Sequence, residues 1–353
     1  MTLILKGIFG FMAEYFNLPK FVASSVRALV IACFSAVLVA ACVIIAISQS
    51  GGIIGTGSQP LALYGTVTQL GSVYVNGARV FGASVTGLPV GQKVILQAEA
   101  TSNGIVAKGV VPLPLKVAPV ELTPQGVSIF GRTVVGVMDG PMRSAIEHRL
   151  SHLYDGAWVQ YQGVNVGSDG IFLSELRITS LPAGGASASG VLMRASSGSG
   201  IWQVSGVPIK FTKKALPHGY VIPGSWVDKV FNVSGYVEDG ILMVETYSID
   251  KMTSAFLTEI TPPLILEAGY VKTQDSIAIA TDLGAFSYPL ESFPDLQDLP
   301  PVGMVTISAT MDRDGKLRPT AYRQWTAGPS QAEFSPILTL LTIGAYQSVR
   351  QAD

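Results

Sequence analysis

A recurring pattern restricts this chain more than any other feature: an alternating segment, a glycine turn, a second alternating segment, then a glycine-opened strand and an Asn-Gly or Asp-Gly pair. In the first unit Val73-Tyr74-Val75-Asn76-Gly77-Ala78-Arg79-Val80 precedes Gly91-Gln92-Lys93-Val94 and Asn103-Gly104. The second carries Val127-Ser128-Ile129-Phe130-Gly131, Gly156-Ala157-Trp158-Val159 and Asp169-Gly170. The third carries Trp202-Gln203-Val204-Ser205-Gly206, Gly224-Ser225-Trp226-Val227 and Asp239-Gly240. A weaker fourth has Ile277-Ala278-Ile279 without the turn glycine, then Val302-Gly303-Met304-Val305 and Asp314-Gly315. Asn-Gly and Asp-Gly supply the positive φ values of two-residue hairpins, and alternation such as Val94-Ile95-Leu96-Gln97-Ala98 sends successive side chains to opposite faces. Units of about 55 to 75 residues with about five strands are too small for two stacked sheets, so each is expected to curl into a small barrel that hides its edges.

Pro112-Leu113-Pro114, Leu181-Pro182-Ala183-Gly184-Gly185 and Thr261-Pro262-Pro263 punctuate the units. They place β-barrels at 63–117, 118–185, 186–260 and 261–327. One inserted helix is expected over 141–154, PMRSAIEHRLSHLY, where Met142, Ala145, Ile146, Leu150 and Leu153 fall near helical spacing. The C-terminal segment 328–353 is apolar but short of a membrane span and broken by Pro336 and Gly344, so it is expected to pack on a barrel or to serve an assembly contact.

Residues 28–47, ALVIACFSAVLVAACVIIAI, hold no charge over twenty positions. As a helix they rise about 30 Å, the thickness of a bilayer's hydrocarbon core. Lys6, Lys20 and Arg27 precede the run with only Glu14 opposing, and the uncharged SQSGGIIGTGSQP follows it, so the positive-inside bias keeps the N-terminus in the cytoplasm and exports the rest. The expected order is a cytoplasmic arm 1–26, a signal anchor 27–48 and a Gly/Ser-rich linker 49–62. Met12 is an alternative start to Met1, and the arm's apolar residues suit an interfacial helix. Val39-Ala40-Ala41-Cys42 also reads as a lipobox, with Cys42 as the lipid attachment site of a cleaved lipoprotein. Val43-Ile44-Ile45-Ala46-Ile47 continues the apolar run past that cysteine and favours an uncleaved anchor. The expected fold class is thus mainly β: an N-terminal transmembrane helix followed by tandem small OB-like β-barrels, about four repeats, with one inserted helix.

Gly51-Gly52-Ile53-Ile54-Gly55-Thr56-Gly57, Tyr64-Gly65-Thr66-Val67-Thr68 and Gly71-Ser72-Val73-Tyr74-Val75-Asn76-Gly77 resemble the opening of a bacterial exported-protein family, domain of unknown function 5666. Its members run a glycine-rich stretch after a lipoprotein cysteine, then G-x-V-T-x-F-G-S-V-x-V-N-G and G-x-x-V-x-V-x-G, matched in part here by residues 91–98. The resemblance covers about residues 51–110 and continues beyond as weak repeats. It implies an exported compartment and a β architecture, and it brings no catalytic residues.

Chemical motifs are sparse. His148 and His152 stand four apart, on one side of the expected helix, with Glu147 and Asp155 near, and are the weak candidates for a metal site. A zincin helix would place Glu directly after the first histidine, whereas Glu147 precedes it and Arg149 follows. His218, in Leu216-Pro217-His218-Gly219, reads as a turn residue. Both cysteines, Cys33 and Cys42, lie in the hydrophobic run, and no G-x-S-x-G elbow occurs, so nucleophilic catalysis has few candidate members. Asp312 and Asp314 read as a hairpin turn, lacking further calcium ligands, and Gly198-Ser199-Gly200 lacks the lysine of a phosphate loop. A net charge of −1 with 13% charged residues gives no basic surface for nucleic acid, and Tyr74, Trp158, Trp202, Trp226 and Tyr236 are not interleaved with a Lys/Arg stripe.

The reading is a non-enzymatic, membrane-anchored envelope protein, without cofactor or nucleic-acid partner, acting as scaffold or subunit of a periplasmic assembly with a protein partner or its own copies. The rival is a periplasmic binding module for a peptide, glycan or lipid.

Overall fold

The computed structural model describes residues 59–325, except 69–72, 102–103, 195–199, 218–221, 227–228, 259–262, 294–295 and 312–316, together with 341–342. The arm, the anchor, Cys42, nearly all of the linker and C-terminal segment, and Asn103, His218, Asp312 and Asp314 lie outside the described residues. Among the described residues no helix is long and apolar enough to cross a membrane.

The strands follow the sequence pattern closely. The first five are β1 (Gln59–Thr66), β2 (Val73–Val75), β3 (Ala78–Phe81), β4 (Lys93–Thr101) and β5 (Gly104–Pro112). Next come β6 (Lys116–Thr123), β7 (Gly126–Ile129), β8 (Arg132–Val137), helix α1 (Arg143–Leu150), β9 (Trp158–Val166) and β10 (Gly170–Thr179). Then come β11 (Ala186–Arg194), β12 (Trp202–Val204), β13 (Val207–Phe211), β14 (Val230–Glu238), β15 (Ile241–Ile249) and helix α2 (Lys251–Thr258). The last set is β16 (Leu264–Lys272), β17 (Ser276–Thr281), β18 (Gly284–Pro289), β19 (Val302–Met311) and β20 (Leu317–Gln324), with the short β21 (Leu341–Thr342) beside β20.

Pairing curls these sets into small barrel-like sheets. β6 pairs with β7 and β9, β7 with β8, β8 with β10 in parallel, and β10 with β9, so five strands close on themselves. Strands β11–β15 close in the same order. Strands β1–β5 follow it too, the last closure being the single bridge between Val67 and Val75. In β16–β20 the antiparallel order is β18-β17-β16-β19-β20, and among the described residues β18 does not pair with β20.

Strand β1 explains why one stretch reads as apolar throughout. It pairs with β4 on one side and, in parallel, with β16 on the other. Leu61 and Leu63 point into the first barrel with Val94 and Leu96, while Ala62 and Tyr64 join Ile95 in the core of the last set. A strand serving two cores has no polar face left. It begins at Gln59, inside the stretch read as linker. The cores of β6–β10 and β11–β15 merge into one cluster, and β11 pairs with β6 at Ser187 opposite Val117, so β6–β15 form one large sheet while β1–β5 and β16–β21 form the other.

The turns carry the expected backbone signature. Asn76-Gly77, Phe130-Gly131, Ser205-Gly206 and Asp239-Gly240 all have positive φ at both positions, the primed turn that suits a twisted hairpin. Asp169-Gly170 is a correction: β9 and β10 are joined by Gly167-Ser168-Asp169, and Gly167 supplies the positive φ. The fourth set turns through Thr281-Asp282-Leu283-Gly284, with Gly284 at positive φ and the Thr281 hydroxyl accepting from the Leu283 amide (3.0 Å) and donating to the Gly284 carbonyl (2.9 Å). Helix α1 is shorter than the expected 141–154, since a 3₁₀-type bond from the His152 amide to the Arg149 carbonyl tightens its end. Its Ile146 is buried, with Met142, Leu150 and Leu153 packed on the same core. Helix α2 was not expected from the sequence. Asp250 caps it, accepting from the Thr253 amide (3.0 Å) and hydroxyl (2.7 Å).

Candidate functional site: a buried ionic hub

The two large sheets meet at a cluster of charged and polar side chains that the strand geometry takes out of water. Lys93, at the start of β4, is 4% exposed, and Glu267 of β16 and Asp282 of the β17–β18 turn are 2% and 3% exposed. The Lys93 ammonium donates to the Asp282 carboxylate and to the Gly163 carbonyl (2.7 Å), with Glu267 at 3.7 Å. Asp282 also accepts from the Tyr64 hydroxyl (3.1 Å) and the Asn165 amide (2.8 Å). Glu267 accepts from the backbone amide (3.1 Å) and hydroxyl (2.7 Å) of Thr66. Lys116, at the start of β6, donates to the Ser205 carbonyl (3.0 Å), to which Asn165 also donates (3.3 Å). Every one of the four strand sets therefore contributes: Tyr64, Thr66 and Lys93; Lys116 and Asn165; Ser205; Glu267 and Asp282.

Neighbouring contacts extend the lock. Gln162 donates to the Leu113 carbonyl (2.6 Å) and accepts from the Lys93 backbone amide. Asn76 donates to the carbonyls of Tyr64 (3.2 Å) and Ile265 (3.1 Å), while its own carbonyl accepts from Arg323. Two glycines permit the close approach. A methyl group at Gly206 would overlap the Asn165 amide, and one at Gly269 would overlap the Asn165 carbonyl and Val166.

The electrostatics decide which groups are charged. Burial alone raises a carboxyl pKa, but at Asp282 it is outweighed by Lys93, then Lys116, and by the bonds from Lys93 and Tyr64, so this carboxyl stays below the usual range. Glu267 is pushed up by burial, with Lys93 and Thr66 offsetting only part. Burial lowers Lys116 to about 8, Asp282 opposing and Lys93 and Arg132 adding to the fall. Tyr64 is raised by burial and by Asp282, so its hydroxyl remains a donor. Arg132 is buried and lowered by burial, and its Nε and Nη1 find no hydrogen-bond partner. The hub thus sets two lysines against two carboxylates, with Arg132 acting on Lys116 and Asp282 through space.

No protein-family model, curated protein or solved structure matches this chain.

The residues singled out from sequence stand apart from the hub. His148 lies on α1 and His152 in the turn just past its end, both exposed, their ring centroids 4.4 Å apart, and His152 Nδ1 is 2.7 Å from the His148 carbonyl. Glu147 is engaged by Arg143, and Asp155 accepts from the Leu122 amide (2.9 Å). Among the described residues no group of three His, Cys, Asp or Glu side chains is placed to hold a metal ion. Tyr74 is buried, Trp158, Trp202 and Trp226 pack on the shared core of β6–β15, and Tyr236 is exposed. The hub residues were missed because the repeat and family segments that hold Tyr64, Thr66, Lys93 and Ser205 point to strands and turns, and Lys116, Asn165, Glu267 and Asp282 stand in no motif. The available signal was a charge inside an apolar run, as in Gln92-Lys93-Val94-Ile95 and Leu266-Glu267-Ala268.

A second feature is an open groove of about 370 Å³ on the outer face of the β11–β15 barrel.

Proposed function

We propose that this chain is a non-enzymatic, single-pass protein of the bacterial inner membrane, anchored by residues 27–48 with its bulk in the periplasm, where tandem OB-like barrels form a rigid scaffold or assembly subunit. The observation that carries this reading is the hub. A linear string of barrels needs no buried lysines and carboxylates at its joints, whereas a body that must hold its parts in one arrangement gains specificity from them, because mispaired arrangements leave charges unanswered. The hub side chains are shut from solvent, which suits fixing geometry and not proton transfer to a substrate. The resemblance over residues 51–110 and the low charge content support the exported compartment.

The test is purification of the tagged full-length protein from membranes in mild detergent, with intact mass and mass spectrometry of whatever co-elutes. The scaffold reading predicts an uncleaved chain with a stoichiometric partner or further copies of itself. A diacylglyceryl-modified fragment beginning at Cys42 and eluting alone contradicts it and favours a lipoprotein binding module.

A further inference from the structure

We propose that the outer face of the β11–β15 barrel is a binding site for a neutral oligosaccharide, an assignment that goes beyond the scaffold reading and does not depend on it. In β11, β14 and β15 the side chains of Ala188, Val233 and Tyr247 join the core. Strand alternation then puts Ser187, Ser189, Asn232, Ser234, Thr246 and Ser248 on the opposite face. Register aligns them in two rows: Ser187 opposite Ser234, which is opposite Thr246, and Ser189 opposite Asn232, which is opposite Ser248. With strands about 4.8 Å apart and like-facing residues roughly 6.5 to 7 Å apart along each strand, the result is a regular grid of short hydrogen-bonding groups.

The grid floors the groove of about 370 Å³, and Pro114, Leu115, Ala188, Val233 and Tyr247 complete its lining. That volume falls within the range of small-molecule sites, about 300–1,000 Å³. Ser189 is only 8% exposed, lines the groove, and among the described residues its hydroxyl has no hydrogen-bond partner. No charged side chain is in the lining.

This chemistry selects its ligand. Serine and threonine hydroxyls both donate and accept, as sugar hydroxyls do, so each can pair with either lone pair or proton of a ring substituent. A charged ligand would leave its water for a surface with no countercharge, and an apolar one would strand the Ser189 hydroxyl, whereas Ser234 and Thr246 already bond each other (2.6 Å) and keep a further lone pair for a ligand hydroxyl. An extended peptide adds to a sheet through main-chain bonds at a free edge, in the plane of the strands. The groove instead lies over the face of the sheet, where β14 is paired on both sides with β11 and β15, so a ligand seated on the grid meets side chains and not the β14 main chain.

The experiment titrates full-length protein, held in a detergent without sugar head groups, with chitohexaose, cellohexaose and maltohexaose by calorimetry. A hyaluronan fragment and a Gly-Ser decapeptide serve as the charged and peptide comparisons. At least one neutral hexasaccharide is expected to bind, and Thr246→Lys or Ser248→Glu, both at exposed positions, to weaken it about tenfold or more without changing the melting temperature. The proposal is overturned if no neutral hexasaccharide binds, if both variants bind as wild type does, or if the peptide or the hyaluronan fragment binds more tightly than all three.

Discussion

At the scale of single residues, Asp282 is the carboxylate on which Lys93, Tyr64 and Asn165 converge. Its removal leaves the Lys93 ammonium buried with only the Gly163 carbonyl and a carboxylate at 3.7 Å. Breaking a buried pair costs about 3–5 kcal/mol, so Asp282→Ala is expected to lower unfolding free energy by about that amount in urea denaturation. Replacing Lys93 and Asp282 together by apolar residues of similar volume is expected to recover much of the loss. The pH dependence separates the charged groups by sign. Asp282 is depressed, so its contribution is complete above the ordinary value of 3.8 and fades as pH falls through the lower folded value. Lys116 drops from 10.5 to about 8, so between those values the unfolded chain binds the proton more tightly and stability rises with pH. Relative to Lys116→Met, the wild type should gain on the order of 3 kcal/mol across that window, and a difference independent of pH would refute the assignment. These groups were only half legible in the sequence. Lys93 and Glu267 can be noticed as charges in apolar runs, but Asp282 stands 189 positions from Lys93, and only closure of the whole chain selects that pairing.

At the scale of elements, turns and strands were the legible part, because their determinants are local. Asn76-Gly77 and Asp239-Gly240 dictate their own backbone, and alternation fixes which side chains enter each barrel. Phe130 and Ser205 hold the same left-handed turn position without the usual preference, and each is buried, so tertiary packing compensates a local cost of about 1–3 kcal/mol. Helix α2 was missed because its eight residues lie where a strand gives way to a boundary, and only the Asp250 cap announces it. The close approach of β9 and β16 gives a prediction at this scale. Gly269→Ala should cost about 1–3 kcal/mol by forcing β16 away from Asn165 and Val166, whereas Gly184→Ala, which meets open space, should leave the melting temperature unchanged. Equal effects at the two positions would mean that the strands do not pack as described.

At the scale of the whole molecule, the chain returns on itself: β16 runs beside β1, so the last strand set shares a sheet with the first, and the two middle sets share a core. That arrangement was not legible, since a repeat pattern specifies each unit and leaves open which units share strands. The hub sits where both sheets meet, and on this account it joins the shared core of β6–β15 to the cores of β1–β5 and β16–β20 in one cooperative body. The decisive measurement is native-state hydrogen exchange of wild type and Asp282→Ala. If the hub couples the strand sets, the slowest amides of β1, β9, β12 and β17 share one opening free energy in the wild type, and the substitution lowers all of them together. If protection falls in β16–β20 alone while the other sets keep theirs, the barrels are independent and the rigid-scaffold account is wrong.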